Sequence, residues 1–168
     1  MGKHMRHCYI SLNNVSCLRF GLLVLLALLS GCASTPEIKP VEQKPSSLIQ
    51  YALSLQGAPY RYGEETPERG FDCSGFVQHV YAKHGIWLPR TVSEMASDLP
   101  SASKYDLRSG DLVFFNTSGK TFSHVGIFIN DDKFIHAPSR RTGRVLVSSM
   151  NNNYWRKRFV GVRRPRPH

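Results

Sequence analysis

Cysteine is almost missing from the body of this 168-residue chain: four occur, and only Cys73 lies beyond position 32. Residues 33–168 therefore hold no intrachain disulfide. The lone thiol is a candidate for chemistry rather than for stapling. Acidic residues are also scarce, 12 against 22 lysines and arginines, for a formal charge of +10. That imbalance suits a polyanionic neighbour (nucleic acid, an acidic wall polymer or an anionic membrane face) without choosing among them. The sequence has no Gly-x-x-x-x-Gly-Lys loop, no Cys-x-x-Cys pair and no heptad run, so three large functional classes lose their usual signals. What remains is 41% hydrophobic and 20% charged, a globular balance at the length of one domain.

Long apolar runs are equally scarce. Phe20–Leu29 (FGLLVLLALL) holds ten apolar residues or glycines, with Lys3, Arg6 and Arg19 before it and no acid before Glu37. Spanning a bilayer takes about 20 residues, so this run has the length of the apolar part of a secretory signal. It ends in Leu29-Ser30-Gly31-Cys32, which resembles a bacterial lipoprotein signal. The resemblance implies a signal peptide over residues 1–31 and acyl groups on Cys32 as the new N-terminus. Ala33, rather than Asp, follows it and implies an outer-membrane anchor facing the periplasm. The stretch before Arg19 is long for a basic leader, and Met5 offers a later start. Processing would remove Lys3, Arg6 and Arg19 and no acid, lowering the formal charge to +7. Residues 32–45 then read as a lipidated N-terminus and a Pro-rich flexible tether, with the folded domain over 46–168.

Within that domain, Ser46-Ser47 caps a helix whose Leu48, Ile49, Ala52, Leu53 and Leu55 lie near 3.6 spacing, stopped by Gly57 and Pro59. Tyr60 to Gly70 reads as a loop, Phe71 to His84 as a second helix, and Ser93 to Leu99 as a short third. The period then changes. Residues 111–116, 125–129, 133–137, 144–148 and 159–163 are short runs rich in branched and aromatic residues, separated by turn residues. Helices first and strands after predicts an α+β domain.

Cys73 follows Asp72, a good N-cap type, where the loop enters the second helix. Free N–H groups and the helix dipole favour an anion there, and such a position lowers a thiol pKa from about 8.5 toward roughly 4–7. His79 and His84 lie further along that helix and read as surface residues. His124 and His136 sit on successive strands around the turn Asn130-Asp131-Asp132. A three-residue loop pairs Ile129 with Lys133 and sets Gly126 opposite His136. Both imidazoles then share one face, with Gly126 leaving room beside the second ring. A two-residue loop would separate them. One imidazole can take the thiol proton while the other orients it. Zinc is the competing reading of Cys73, His124 and His136. It lacks a close ligand pair or a His-Glu-x-x-His helix, so no metal is expected.

Six blocks in order carry a family resemblance: Gly57–Gly63 (GAPYRYG), Gly70–Val77 (GFDCSGFV), Leu88–Arg90 (LPR), Gly110–Phe115 (GDLVFF), His124–Ile127 (HVGI) and Phe134–Ala137 (FIHA). The chain resembles small lipoprotein members of the NlpC/P60 family of cell-wall cysteine peptidases, from about Leu48 to Arg164. The resemblance implies a papain-like α+β fold, with N-terminal helices packed on a C-terminal antiparallel sheet. It implies Cys73 as nucleophile, His124 as base, His136 as its orienting residue and Tyr60 near the oxyanion. Asp72 and Ser74 would meet the substrate's amine end, and Arg90 would face substrate; the bland alternatives are a helix cap for Asp72 and a surface charge for Arg90. No cofactor is implied.

The implied activity is hydrolysis of peptidoglycan stem peptides at the γ-D-glutamyl–diamino acid amide. The alternatives are hydrolysis of D-Ala–diamino acid cross-links, or an inactive wall-binding lipoprotein. The expected partners are stem peptides and, through the anchor, a membrane. Export argues against nucleic acid, despite six positive charges between Arg156 and Arg166. One departure stands out: Glu64 replaces the second glycine usual in the family, and the following loop (EETPERGFD) is acidic and a residue longer than in close relatives, which puts subsite preference in question.

Overall fold

The computed structural model describes residues 46–166. The expected signal peptide, the Cys32 lipid site and the tether lie outside the described residues. Helix α1 (Ser47–Ser54) begins at Ser46, whose hydroxyl accepts the Ile49 N–H, and it buries Ile49 and Ala52. Gly57 then turns the chain at φ 92°, and its N–H donates to the Val145 carbonyl at 2.9 Å.

The stretch expected as a plain loop contains two very short paired strands, β1 (Glu65–Thr66) and β2 (Gly70–Phe71). Helix α2 (Cys73–Ala82) follows. It is shorter than the 71–84 span predicted from the sequence, for identifiable reasons. Phe71 belongs to β2, Asp72 is the extended N-cap, and the chain leaves the helix before Gly85 at φ 73°. Helix α3 (Val92–Asp98) starts with a capping box between Thr91 and Glu94, which satisfies two first-turn donors at once.

The rest is one antiparallel sheet in the order β3–β8–β4–β5–β6–β7. Its strands are β3 (Ser101–Ala102), β4 (Leu112–Phe115), β5 (His124–Phe128), β6 (Lys133–His136), β7 (Leu146–Ser149) and β8 (Phe159–Arg163). The edge strand β3 and the one-turn helix α4 (Asn153–Arg156) carry too few residues to show a period. β4 and β5 are buried at every position, because both faces of the sheet are covered. On one face Leu112, Phe114, Val125, Ile127 and Ile135 meet Phe76, Val77 and Val80 of α2 and Ile49 of α1. On the other, Val113, Phe115, Phe128 and Phe134 lie under Leu107, Met150, Phe159 and Trp155 of α4. Each fully buried Phe contributes about 1.5–3 kcal/mol by burial.

The β5–β6 hairpin has the register expected for a three-residue turn. Ile127 pairs Ile135 and Phe128 pairs Phe134, which sets Gly126 opposite His136. Asp131 and Asp132 adopt left-handed φ values of 46° and 56°, a conformation that aspartate tolerates better than most residues. A Cβ on Gly126 would fall 2.7 Å from a ring carbon of Phe134 and 3.1 Å from the Cβ of His136. Gly126→Ala is therefore expected to destabilise the domain by about 1–3 kcal/mol through overpacking. A lowered denaturant midpoint would show this; an unchanged midpoint would mean the hairpin has room to spare.

Candidate active site

Cys73 is the first residue of α2, placed there by Asp72. The Asp72 carboxylate accepts the Gly75 N–H at 2.7 Å, which closes the helix start, and the Gly63 N–H at 2.9 Å, which holds the loop beside it. The half-buried Cys73 sulfur takes backbone hydrogen bonds involving Val125, Ser74 and its own residue. The Val125 contact places the thiol beside the first residues of β5, next to His124. Burial, reinforced by the Asp72 charge, pushes the thiol pKa up to about 11 and outweighs those backbone hydrogen bonds. This corrects the expectation of a lowered pKa. A helix terminus is worth under about 1–2 kcal/mol, while desolvation of a buried anion moves a pKa by up to several units.

His124 and His136 are buried, and their rings meet edge to face. His124 Nε2 lies 2.7 Å from His136 Nδ1, and His136 Nε2 lies 2.9 Å from Ser148 Oγ on β7. Both nitrogens of His136 are thus engaged, and His124 keeps Nδ1 for the cleft. The Trp155 indole stacks on His124 at 5.3 Å and presents an edge to His136 at 4.7 Å, sealing the pair from the far side of the sheet. Burial lowers the His124 pKa to about 4. It lowers that of His136 well below the ordinary range, with a further push from His124. Zinc coordination by Cys73, His124 and His136 finds no support in this arrangement, because His136 stands behind His124 with no nitrogen turned to the sulfur.

Cys73 and His124 open onto a cleft of about 570 Å³, whose walls include Tyr60, Asp72, Ser74 and Arg90. All four expected site residues therefore reach the same space as the thiol. Burial raises the Tyr60 pKa, with the Cys73 and Asp72 charges adding to it, so the phenol stays a neutral O–H donor. Arg90 is not a free charge. Its two terminal nitrogens grip Asp72 at 3.1 and 2.9 Å, one of them also reaches Ser74 Oγ at 2.9 Å, and its Nε meets Glu65 at 2.9 Å. Arg90 thus braces the cleft wall while still lining the cleft. Asp72 correspondingly serves as both cap and counter-ion.

Two glutamates of the acidic loop are paired, Glu64 with Arg69 at 2.8 Å and Glu65 with Arg90 at 2.9 Å. The loop also approaches α2 closely. Asp72 N–H donates to the Glu64 carbonyl at 3.0 Å, and a Cβ on Gly75 would fall 2.3 Å from that oxygen. His79 and His84 are half-buried rather than plain surface residues. His79 Nε2 meets the Tyr51 hydroxyl at 2.8 Å and its ring lies against Phe71; His84 Nδ1 meets the Val80 carbonyl at 3.0 Å. Ser148 and Trp155 are the contributors that sequence reasoning missed. The only signal for Ser148 was its alternate position on a strand, two residues after Leu146, which pairs with His136.

Comparison with known proteins bears on this geometry. The model of the NlpC/P60 family matches residues 57–164, and the chain belongs to that family. The Escherichia coli K12 protein named murein DD-endopeptidase MepS/murein LD-carboxypeptidase is 41% identical over 128 residues, covering 76% of this chain and 65% of that protein. The E. coli K12 protein named probable endopeptidase NlpC is 39% identical over 156 residues, covering 88% and 99%. The Bacillus subtilis gamma-DL-glutamyl hydrolase is 36% identical over 119 residues, covering 70% and 28%. The match spans 46% and 65% of the first curated relatives' own lengths.

Among solved structures, an NlpC/P60 family protein from Bacillus cereus superposes with a TM-score of 0.66 at 31% identity, covering 70% of this chain and 39% of that one. RipD from Mycobacterium tuberculosis, described as a non-catalytic NlpC/p60 domain protein adapted to peptidoglycan binding, gives 0.55 at 26% identity, covering 70% and 93%. The fold is the α+β papain-like arrangement, with the cysteine helix packed on an antiparallel sheet.

Two buried neutral histidines tie stability to pH. In the unfolded chain they titrate near 6.5, and in the fold His124 titrates near 4. Between those values the unfolded state binds more protons, so stability falls as pH drops through that window. The melting temperature is expected to decline from pH 7 to pH 4.5, and His124→Gln to flatten part of that slope. An identical slope in the variant would refute the assignment.

Proposed function

We propose that this protein is a peptidoglycan endopeptidase that hydrolyses stem-peptide amide bonds with a Cys-His-His site. The observation that carries the reading is the meeting, in one cleft, of a thiol at a helix start and an imidazole held from behind by a second imidazole. The peptide carbonyl docks over Cys73. The thiol proton passes to His124 Nδ1 as sulfur attacks the carbonyl carbon. The oxyanion receives the Cys73 N–H, which has no partner inside the helix, and the Tyr60 O–H. The His124 imidazolium then protonates the leaving amine. Water, deprotonated by His124, releases the acyl group from the thioester.

Proton placement follows from the hydrogen-bond chain. For Nδ1 of His124 to accept, its proton must sit on Nε2 and be donated to His136 Nδ1. His136 then carries its own proton on Nε2 and donates it to Ser148 Oγ. In the opposite arrangement His136 would protonate Nδ1 and turn a protonated His124 Nδ1 toward the sulfur, which is inert. Ser148 is in this reading a positioning residue that holds His136 in the working tautomer by accepting this proton; its hydroxyl can also donate, so the selection comes from the sulfur at His124 Nδ1.

Two bonds fit this chemistry. The γ-D-glutamyl–diamino acid amide is the first reading, and the B. subtilis relative's name supports it. The D-Ala–diamino acid cross-link is the second, favoured by the names of relatives at 41% identity. Mass spectrometry of digested muropeptides distinguishes them, since only the second converts cross-linked dimers to monomers. We further propose that the domain works in the cell envelope, carried by lipid on Cys32.

Cys73→Ala is expected to abolish fragment release while leaving the unfolding midpoint near that of the parent; retained turnover would end the cysteine-nucleophile reading, and a parent protein with no turnover would leave wall binding. Ser148→Ala is expected to lower kcat roughly tenfold or more, with KM little changed, and Ser148→Thr to restore most of it. A loss that falls on KM, or that Thr fails to restore, would count against the tautomer role.

A further inference from the structure

The catalytic cleft has a neighbour. Beyond the wall made by Tyr60 and Tyr62 lies a recess of about 480 Å³, lined by Pro59, Tyr60, Arg61, Tyr62, Glu64 and Arg140. The two tyrosines border both spaces, and Tyr62 is 77% exposed.

Its charge is one-sided. Glu64 is turned to Arg69 at 2.8 Å. Arg61 and Arg140 have no carboxylate partner among the described residues, whereas Arg69, Arg90, Arg108 and Arg164 each have one. The recess is thus lined by two arginines without an ion-pair partner among the described residues and by one carboxylate that already has one. The field of Arg140 already reaches the Tyr60 hydroxyl, where it opposes the effect of burial.

The two arginines come from segments that the fold ties together. Tyr60 N–H donates to the Gly143 carbonyl at 2.8 Å, and Arg61 N–H to the Phe71 carbonyl at 2.9 Å. The turn bearing Arg140 is closed by Gly143 N–H to the Ser139 carbonyl at 2.9 Å. The Arg61 stem lies over Gly70, where an added Cβ would come within 3.1 Å of its Cγ. The backbones are therefore fixed, and only the ends of the side chains are free to meet a ligand. A planar fork of N–H donors matches a carboxylate in two-point fashion, and two such forks in a concavity favour that group over a neutral one.

We propose that this recess is a carboxylate subsite, in which Arg61 and Arg140 hold a free carboxylate of the peptide whose scissile carbonyl lies over Cys73. The proposal rests on the peptidase reading above and adds a specificity element to it. Two carboxylates of a stem have the required chemistry: the α-carboxylate left free by a γ-linked glutamate, and the unlinked carboxylate of the diamino acid.

The test uses the folded domain with four synthetic stem peptides: carboxylates free, glutamate amidated, diamino acid amidated, and both amidated. On the free peptide, Arg61→Gln and Arg140→Gln are each expected to raise KM roughly fivefold, and the double variant by more, with the effect on KM rather than kcat. The effect should shrink as salt is raised. It should also vanish on whichever singly amidated peptide lacks the bound carboxylate, which identifies the source. A KM penalty of equal size on the doubly amidated peptide, or no penalty on the free one, would overturn the subsite. Should the parent protein cleave none of the peptides, the peptidase reading fails by itself. Calorimetric binding of the same peptides to Cys73→Ala, with and without the arginine substitutions, then still decides the subsite. Binding that depends on both the carboxylate and the arginines upholds it, and binding indifferent to either rejects it.

Discussion

The register of one hairpin governs this site. β5 and β6 are joined by three residues, and that odd number sets Gly126 against His136 and points His124 and His136 to the same side of the sheet. Side chains alternate along a strand, so a slip of one residue would move one ring to the opposite face and leave the 2.7 Å contact impossible. Several local choices converge on the same register. Asp131 and Asp132 accept left-handed backbone, Lys133 N–H closes the turn on Asn130 at 2.7 Å, and Met150 N–H ties the turn to the segment after β7 at 2.6 Å. Phe134 and Ile135 bury on opposite faces, which adds a hydrophobic penalty to any slip. The imidazole pair inherits the rigidity of a sheet covered on both sides.

Burial also sets the protonation problem that the site must solve. Low exposure at His124 and His136, and desolvation at Cys73, each favour the uncharged form. Either charge alone is costly there, but a proton moved from sulfur to His124 creates both charges together, adjacent to one another. In the proposed mechanism, their mutual attraction in a poorly screened environment offsets part of both penalties. Asp72 works against the thiolate electrostatically, and its charge is tempered by Arg90, which grips both of its oxygens. The brace on the cleft wall thus has an electrostatic role beside its structural one.

Much of this was legible in the sequence, because the relevant signals are local. The Asp-Cys pair before an amphipathic stretch, the odd-length turn between two apolar runs, and the change of period from helix to strand each depend on a few adjacent residues. The features that escaped depend on distant chain segments. Ser148 and Trp155 reach the histidines only because β7 joins β6 and α4 folds over the sheet. Phe71 reads as helical by hydrophobic spacing, yet its backbone is claimed by pairing with Glu65. Arg90 and the loop acids cancel one another through contacts that no spacing rule contains. The direction of the thiol pKa was missed for a related reason: a helix terminus can be read from sequence, but the depth of desolvation around one sulfur cannot.

Chemistry and selectivity are divided between different parts of the fold. The reacting groups stand on a helix start and on a strand buried throughout, where backbone bonds and aromatic rings hold them in place. The walls come from loops, which can vary without disturbing those groups. Within these loops most charge is spent internally, on Glu64–Arg69, Glu65–Arg90 and Asp72–Arg90. A cleft lined by satisfied pairs discriminates by shape and hydrogen bonding rather than by net charge. Any preference for an anionic peptide must then come from cations outside those pairs. On the proposed peptidoglycan reading, this lets an acidic loop border the cleft without dominating its charge. Glu64 and Glu65 are held by Arg69 and Arg90, while Arg61 and Arg140, without a carboxylate partner among the described residues, line the recess just past the tyrosine wall.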